Sequence, residues 1–241
     1  GYIRYSFLFG VLCLALAVAG PQFGLKVKKV ERQGVDLVIA FDTSSSMDGL
    51  LNQAKSRLWE IVNESGALRY HGDIPSLEIA MYDYGNSGIQ NSLFVRKQLE
   101  FTSDLDVVSQ KLFALKTNGG NEYCGAVISD ALNKLQWSAD ARDLKMIYIA
   151  GNEPFNQGPV NYQEVCAMAK KKEVLVNTIY CGDHLQGIRE LWKDGATGTK
   201  GDYFNIDPVF IRIVWLLTLI CYGTGIIAYI LGYFLIPTKS E

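Results

Sequence analysis

The sequence predicts an α/β domain, doubly wound around a mostly parallel sheet and flanked by two transmembrane helices. Three observations carry this reading. Short apolar runs alternate with stretches of helical periodicity along the middle of the chain. Charge is segregated: no Asp, Glu, Lys or Arg occurs from Tyr5 to Leu25, nor from Ile213 to Thr238. The first apolar run leads straight into a hydroxyl-rich loop with one carboxylate, Asp42-Thr43-Ser44-Ser45-Ser46-Met47.

The 241 residues suffice for one domain with a sizeable core. With 49% hydrophobic and 20% charged residues, wholesale disorder is excluded. A net charge of −2 gives no electrostatic reason to expect nucleic acid as a partner.

The first and last segments read as membrane anchors in contact with lipid. As a helix, Ile213–Ile236 would rise about 36 Å, enough to cross a hydrocarbon core of roughly 30 Å. Trp215 and Tyr233 suit the two interfaces. Thr224, Ala228 and Gly232 form a small-residue stripe of the kind that packs against another membrane helix. Near the N-terminus, Arg4, an apolar stretch and Ala17-Val18-Ala19 imitate a secretory signal; a retained helix is the favoured reading. The organisation expected is an N-terminal helix over 1–25, a domain over 26–208, a C-terminal helix over 209–237 and a tail over 238–241. Arg4 and Lys239 flank the outer ends of the spans and Lys26, Lys28, Lys29 and Arg212 the inner ends, so charge counting does not fix the orientation and leans toward a cytoplasmic domain.

Within the domain, Asp36–Phe41 is nearly continuous in apolar residues, as befits a strand buried on both faces. Leu51, Ala54, Leu58, Ile61 and Val62 then recur at helical spacing. Leu77–Tyr84 reads as a second strand and Asn91–Glu100 as a third, charged enough for a sheet edge. Thr102-Ser103-Asp104 caps a helix to about Leu115. Another helix follows the Thr117–Gly120 loop and ends near Leu135. Lys145–Ala150 and Val174–Tyr180 are strands around a Tyr162–Lys172 helix. A short helix over His184–Trp192 and a strand over Asp202–Ile206 complete the series.

In such sheets, function gathers in the loops at the carboxyl ends of the strands. Those loops are Asp42–Asp48, Thr117–Cys124 and Gly151–Gly158. Asp42, Ser44 and Ser46, spaced at i, i+2 and i+4 on a tight turn, can aim hard oxygen ligands at one spot, a pattern suited to Mg²⁺ or Mn²⁺. The same residues would also serve merely to cap the next helix.

An apolar strand, D-x-S-x-S-M and a helix resemble the metal-ion-dependent adhesion site (MIDAS) of von Willebrand factor type A domains. The resemblance runs from Val35 to Ile206. It continues in Thr117-Asn118-Gly119-Gly120-Asn121-Glu122, similar to the family's second metal loop, and in Ile149-Ala150-Gly151-Asn152-Glu153-Pro154, similar to the third. Gly20-Pro21-Gln22-Phe23-Gly24 and Val30 to Asp36 resemble the membrane-anchored Bat-type subgroup. That likeness implies a bacterial inner-membrane protein with its domain facing the periplasm, acting as a protein-interaction module in a complex linked to a MoxR-type ATPase.

The family pattern maps onto Asp42, Ser44, Ser46, Asn121 and Asn152 as metal ligands. It departs at two of them: Asn121 stands where a Thr hydroxyl is usual, and Asn152 where an Asp is usual. One carboxylate in place of two should weaken divalent binding, unless Glu122 or Glu153 restores the charge, directly or through water; a carboxylate from a partner would also complete the shell, as the resemblance implies. Glu122, Tyr123, Glu153 and Phe155 are then the expected contacts for a protein partner at the rim. The alternative is a structural subunit of a membrane complex, with the metal site vestigial.

Catalytic signals are poor, and no enzyme is expected. The two histidines, His71 and His184, are isolated. Gly119-Gly120 lacks the Lys-Ser/Thr of a P-loop, and Cys124 has no evident base beside it. Of five cysteines, Cys166 on a helix and Cys181 at the end of the next strand stand close enough in sequence for a bridge.

Overall fold

The structure, a computed structural model, describes residues 34–67 and 75–207. The two predicted spans, the Thr224/Ala228/Gly232 stripe and His71 lie outside the described residues. Among the described residues no helix is long and apolar enough to cross a membrane.

Six strands form one sheet: β1 (Gly34–Asp42), β2 (Ser76–Tyr84), β3 (Val95–Thr102), β4 (Leu144–Gly151), β5 (Val174–Tyr180) and β6 (Tyr203–Asn205). Their order is β3-β2-β1-β4-β5-β6. β3 is antiparallel to β2, and every other pairing is parallel. The helices are α1 (Leu51–Gly66), α2 (Leu105–Ala114), α3 (Cys124–Lys134), α4 (Tyr162–Lys171), α5 (His184–Arg189) and α6 (Trp192–Thr197).

The central strand explains the layering. β1 is buried from end to end. Its Leu37, Ile39 and Phe41 join Leu58 and Val62 of α1 and Leu112 of α2 in one core. Val38 and Ala40 join Val127 and Ala131 of α3 and Val165 of α4 in the other. The period-2 alternation of a strand therefore feeds two cores, and β1 must be apolar on both faces. Lys55 ties the first layer together: its buried ammonium donates to the Phe113 and Leu115 carbonyls at the end of α2, where the helix dipole favours a cation.

Two predicted boundaries move for the same reason. Ser87–Ser92 forms a 3-10 turn, and Leu93 and Phe94 adopt the left-handed conformation (φ 54° and 58°), so β3 begins only at Val95. The predicted His184–Trp192 helix is two helices, broken where Leu191 takes φ 67°. A left-handed residue cannot continue either a strand or a right-handed helix.

The strand order places the site. From β1 the chain winds one way to β2 and β3, then returns to lay β4 on the other side of β1. Loops leaving the carboxyl ends of β1 and β4 diverge there and open a crevice. Asp42 ends β1 and Asn152 follows β4 directly.

Candidate functional site

Asp42 is fully buried at the floor of that crevice. Its Oδ1 accepts the Ser44 backbone N–H at 2.8 Å. Its Oδ2, equally buried, has no hydrogen-bond partner. An orphaned carboxylate oxygen of this kind is costly. Burial pushes the Asp42 carboxyl up to about 7 and the nearby Glu122 charge adds to it, while the Ser44 amide, the Ser44 hydroxyl and the Asn152 backbone N–H oppose the rise.

From Asp42 a chain of polar contacts climbs to the surface. The hydroxyls of Ser44 and Ser46 are 2.8 Å apart. Ser46 Oγ donates to Asn152 Oδ1 at 2.8 Å, and Asn152 Nδ2 donates to the Ser46 carbonyl at 3.2 Å. These two bonds join the first and third loops, with Ser44 buried and Ser46 exposed. Met47 is fully buried beneath the turn and anchors it.

The second loop approaches by backbone contact. The Asn118 N–H donates to the Thr43 carbonyl at 2.8 Å. A Cβ on Gly120 would lie 2.2 Å from the Gly85 carbonyl oxygen, so this approach requires glycine. It brings Glu122 Cγ to the same spot beside Gly85 as Asp42 Oδ1 and Ser44 Cβ. Glu122 is buried, with its backbone N–H held by the Gln157 side chain at 3.0 Å. Burial raises its carboxyl, a Ser44 hydrogen bond lowers it, and Glu153 raises it further. Asn121 is exposed.

Further expectations are corrected here. Phe155 is not a rim residue: it is fully buried, packed edge-on against Trp192 (5.2 Å) and Tyr162 (5.6 Å). Cys166 and Cys181 are free thiols in opposite cores. Tyr180 faces α4 and α6, so the next residue, Cys181, must point through the sheet to the other side. Tyr123 is half-buried, edge-on to Phe94 at 5.5 Å. Glu153 is half-buried, and its carbonyl is fixed by the Trp192 indole N–H at 2.8 Å. Cys124 lies buried 3.7 Å from the Tyr84 hydroxyl, and burial pushes its thiol up, away from the reactive thiolate.

Sequence reasoning missed the second strand's contribution. Asp83 supports the first loop from behind, accepting the Thr43 hydroxyl at 3.4 Å. The fully buried Tyr84 donates to the Ala150 carbonyl at 3.0 Å beneath the crevice, and burial holds its phenol well above the usual value. Asp83-Tyr84-Gly85 directly after an apolar run was the available signal.

Comparison with solved structures bears directly on this arrangement. BatB, a conserved hypothetical protein from Bacteroides thetaiotaomicron, matches with a TM-score of 0.56 at 17% identity, over 80% of this chain and 98% of that one. An aerotolerance-related membrane protein from Bacteroides fragilis matches with 0.53 at 16%, over 77% and 98%. Proximal thread matrix protein 1 from the mussel byssus, with a zinc-occupied MIDAS motif, matches with 0.55 at 13%, over 80% and 47%. The fold is that of a von Willebrand A-type domain. No curated protein matches this chain by sequence. A family model described as PspC domain matches residues 195–239, beginning in α6 and taking in β6.

The donor set at the end of β1 fits a hard divalent cation. One buried, unsatisfied carboxylate oxygen, two hydroxyls and an amide oxygen converge at the end of β1. All are oxygen donors, the chemistry that Mg²⁺ and Mn²⁺ require.

Proposed function

We propose that this protein is a membrane-anchored A domain that binds a protein partner through its carboxyl-edge loops with the help of a divalent cation. The single observation that carries the reading is Asp42 Oδ2, fully buried and without a partner at the head of the Ser44–Ser46–Asn152 chain. Asp42, Ser44, Ser46 and Asn152 would hold Mg²⁺ or Mn²⁺, and the cation would supply a fixed positive charge for a partner's oxygen. The domain is read as an interaction module and not as an enzyme, in keeping with the burial of Cys124.

Membrane anchoring through 1–25 and 209–237 is proposed from the two charge-free runs. The PspC-domain match overlaps the C-terminal run, and the Bacteroides fragilis neighbour is described as a membrane protein. A periplasm-facing domain in a bacterial envelope complex, linked to a MoxR-type ATPase, completes the proposal. Thr224, Ala228 and Gly232 would contact a second membrane subunit.

One observation favours a structural subunit instead. Ser46 and Asn152 satisfy each other through two hydrogen bonds, so the first and third loops can close without a cation. The experiment that separates the readings combines metal titration with co-purification from mild detergent. Under the proposal, Mn²⁺ binds, Asp42→Ala abolishes binding, and the partner is lost with Asp42→Ala. A partner retained by Asp42→Ala but lost with Gly232→Leu would favour the structural subunit.

A further inference from the structure

The second loop brings Glu122 to the floor of the site, one residue beyond the Asn121 that the sequence pattern marks. Three groups crowd the position a side chain would take at Gly85, which itself adopts φ +80°. Asp42 Oδ1 lies 2.7 Å from that point, Glu122 Cγ 3.2 Å and Ser44 Cβ 3.3 Å. Glu122 therefore stands at the same few ångströms of floor as Asp42 and Ser44, buried with them. Its backbone is pinned by Gln157, and its loop is pinned by the glycine contact between Gly85 and Gly120. Glu153 is half-buried, while its carbonyl is turned to Trp192. Neither Asp42 nor Glu122 makes an ion pair among the described residues. Two buried carboxylates side by side without a cation repel each other, while the Asp42 Oδ2 lone pairs go unused.

We propose that Glu122, and not Asn121, is the second loop's direct ligand to the divalent cation, and that the partner's contribution is a neutral oxygen, a backbone carbonyl or a hydroxyl. The inference rests on the site holding a divalent cation. Asp42, Glu122, Ser44, Ser46 and Asn152 make five oxygen donors, one short of the octahedral six. Two of the five are carboxylates, so their charge cancels that of the ion. A loaded site of zero net charge has no excess attraction for an acidic side chain, and a third carboxylate would meet two others at close range. A neutral oxygen fills the last place without that repulsion.

The test is Mn²⁺ binding to the full chain in mild detergent, read by the electron paramagnetic resonance of free Mn²⁺. Wild type, Glu122→Gln and Asn121→Ala are compared with and without acetate as a stand-in for an acidic side chain. Glu122→Gln is expected to weaken Mn²⁺ at least tenfold, and Asn121→Ala to change it less than about twofold. Acetate should leave wild type unchanged and tighten Glu122→Gln. Independently of any variant, electron–nuclear double resonance on bound Mn²⁺ should count one inner-sphere water in wild type. Equal affinity for wild type and Glu122→Gln, acetate tightening wild type as much as the variant, or two or more waters would each overturn the assignment while leaving the metal site standing. Wild type that binds no Mn²⁺, or binds it equally well as Asp42→Ala, would overturn both the assignment and the reading beneath it.

Discussion

Asp42 and Asp83 sit one residue out of register at the carboxyl ends of β1 and β2, and both are fully buried. Asp83 is satisfied on every side: Arg96 grips it with two hydrogen bonds at 2.9 and 2.6 Å, Gln98 donates at 2.8 Å and Thr43 at 3.4 Å. Asp42 receives the Ser44 amide on one oxygen and nothing on the other. Equal burial has been resolved in opposite ways. The Asp83 charge is compensated by the protein's own donors and holds β3 to β2 and to the first loop. The Asp42 charge is left uncompensated at the floor of the crevice, a cost that folding alone gives no reason to bear.

Substitutions at the two positions should therefore change stability in opposite directions. The largest effect is expected from Asp83→Ala, which strands Gln98, Thr43 and Arg96. Arg96 can turn to solvent, so thermal or urea unfolding should register a loss of about 3 kcal/mol, toward the lower end of the cost of breaking a buried pair. A change under about 1 kcal/mol would remove the structural role assigned to Asp83.

The next effect is a gain. Because the folded Asp42 carboxyl is raised to about 7, above its ordinary value, its neutral form is favoured by folding. Its contribution is fully present below about pH 4 and is lost as pH rises through about 7. Such a rise corresponds to about 4 kcal/mol at pH 8; set against the weaker hydrogen bond that a neutral amide accepts from the Ser44 N–H, metal-free Asp42→Asn should be more stable than wild type by about 2 kcal/mol at pH 8 and nearly equal to it at pH 4. Unfolding curves at the two pH values check this, and saturating Mg²⁺ should restore wild type at pH 8. Destabilisation by Asp42→Asn at pH 8 would make Asp42 a second Asp83.

The smallest expected effect concerns the pair outside this comparison. With Cys166 and Cys181 on opposite faces of the sheet, reductant should shift the unfolding temperature by less than about 1 °C, whereas loss of a real bridge would cost several kcal/mol. Mass spectrometry of unreduced peptides should recover both as free thiols.

Much of this was legible in the residues. An apolar strand followed by Asp42, Ser44 and Ser46 encodes its own geometry, because a strand end and a tight turn bring i, i+2 and i+4 together within a few residues. Asn152 was legible too, since it follows a strand that has to lie beside β1. Such features depend on local conformation and on strand alternation, both of which have short periods that a sequence displays.

Other features were decided only by the tertiary structure. Whether the second loop offers Asn121 or Glu122 depends on a one-residue register, set where Gly120 meets Gly85 across 35 positions of chain. Phe155 follows a strand without any periodic partner, so only its packing against Trp192 and Tyr162 reveals it as core. Cys181 faces away from Cys166 because a single step along β5 reverses the side-chain direction. The difference between Asp42 and Asp83 is of the same kind. Both are an aspartate ending an apolar run, and what separates them is an arginine on the neighbouring strand that reaches one and not the other. Local pattern states which groups are buried, but the partners that satisfy them come from distant chain, and folding alone brings those together.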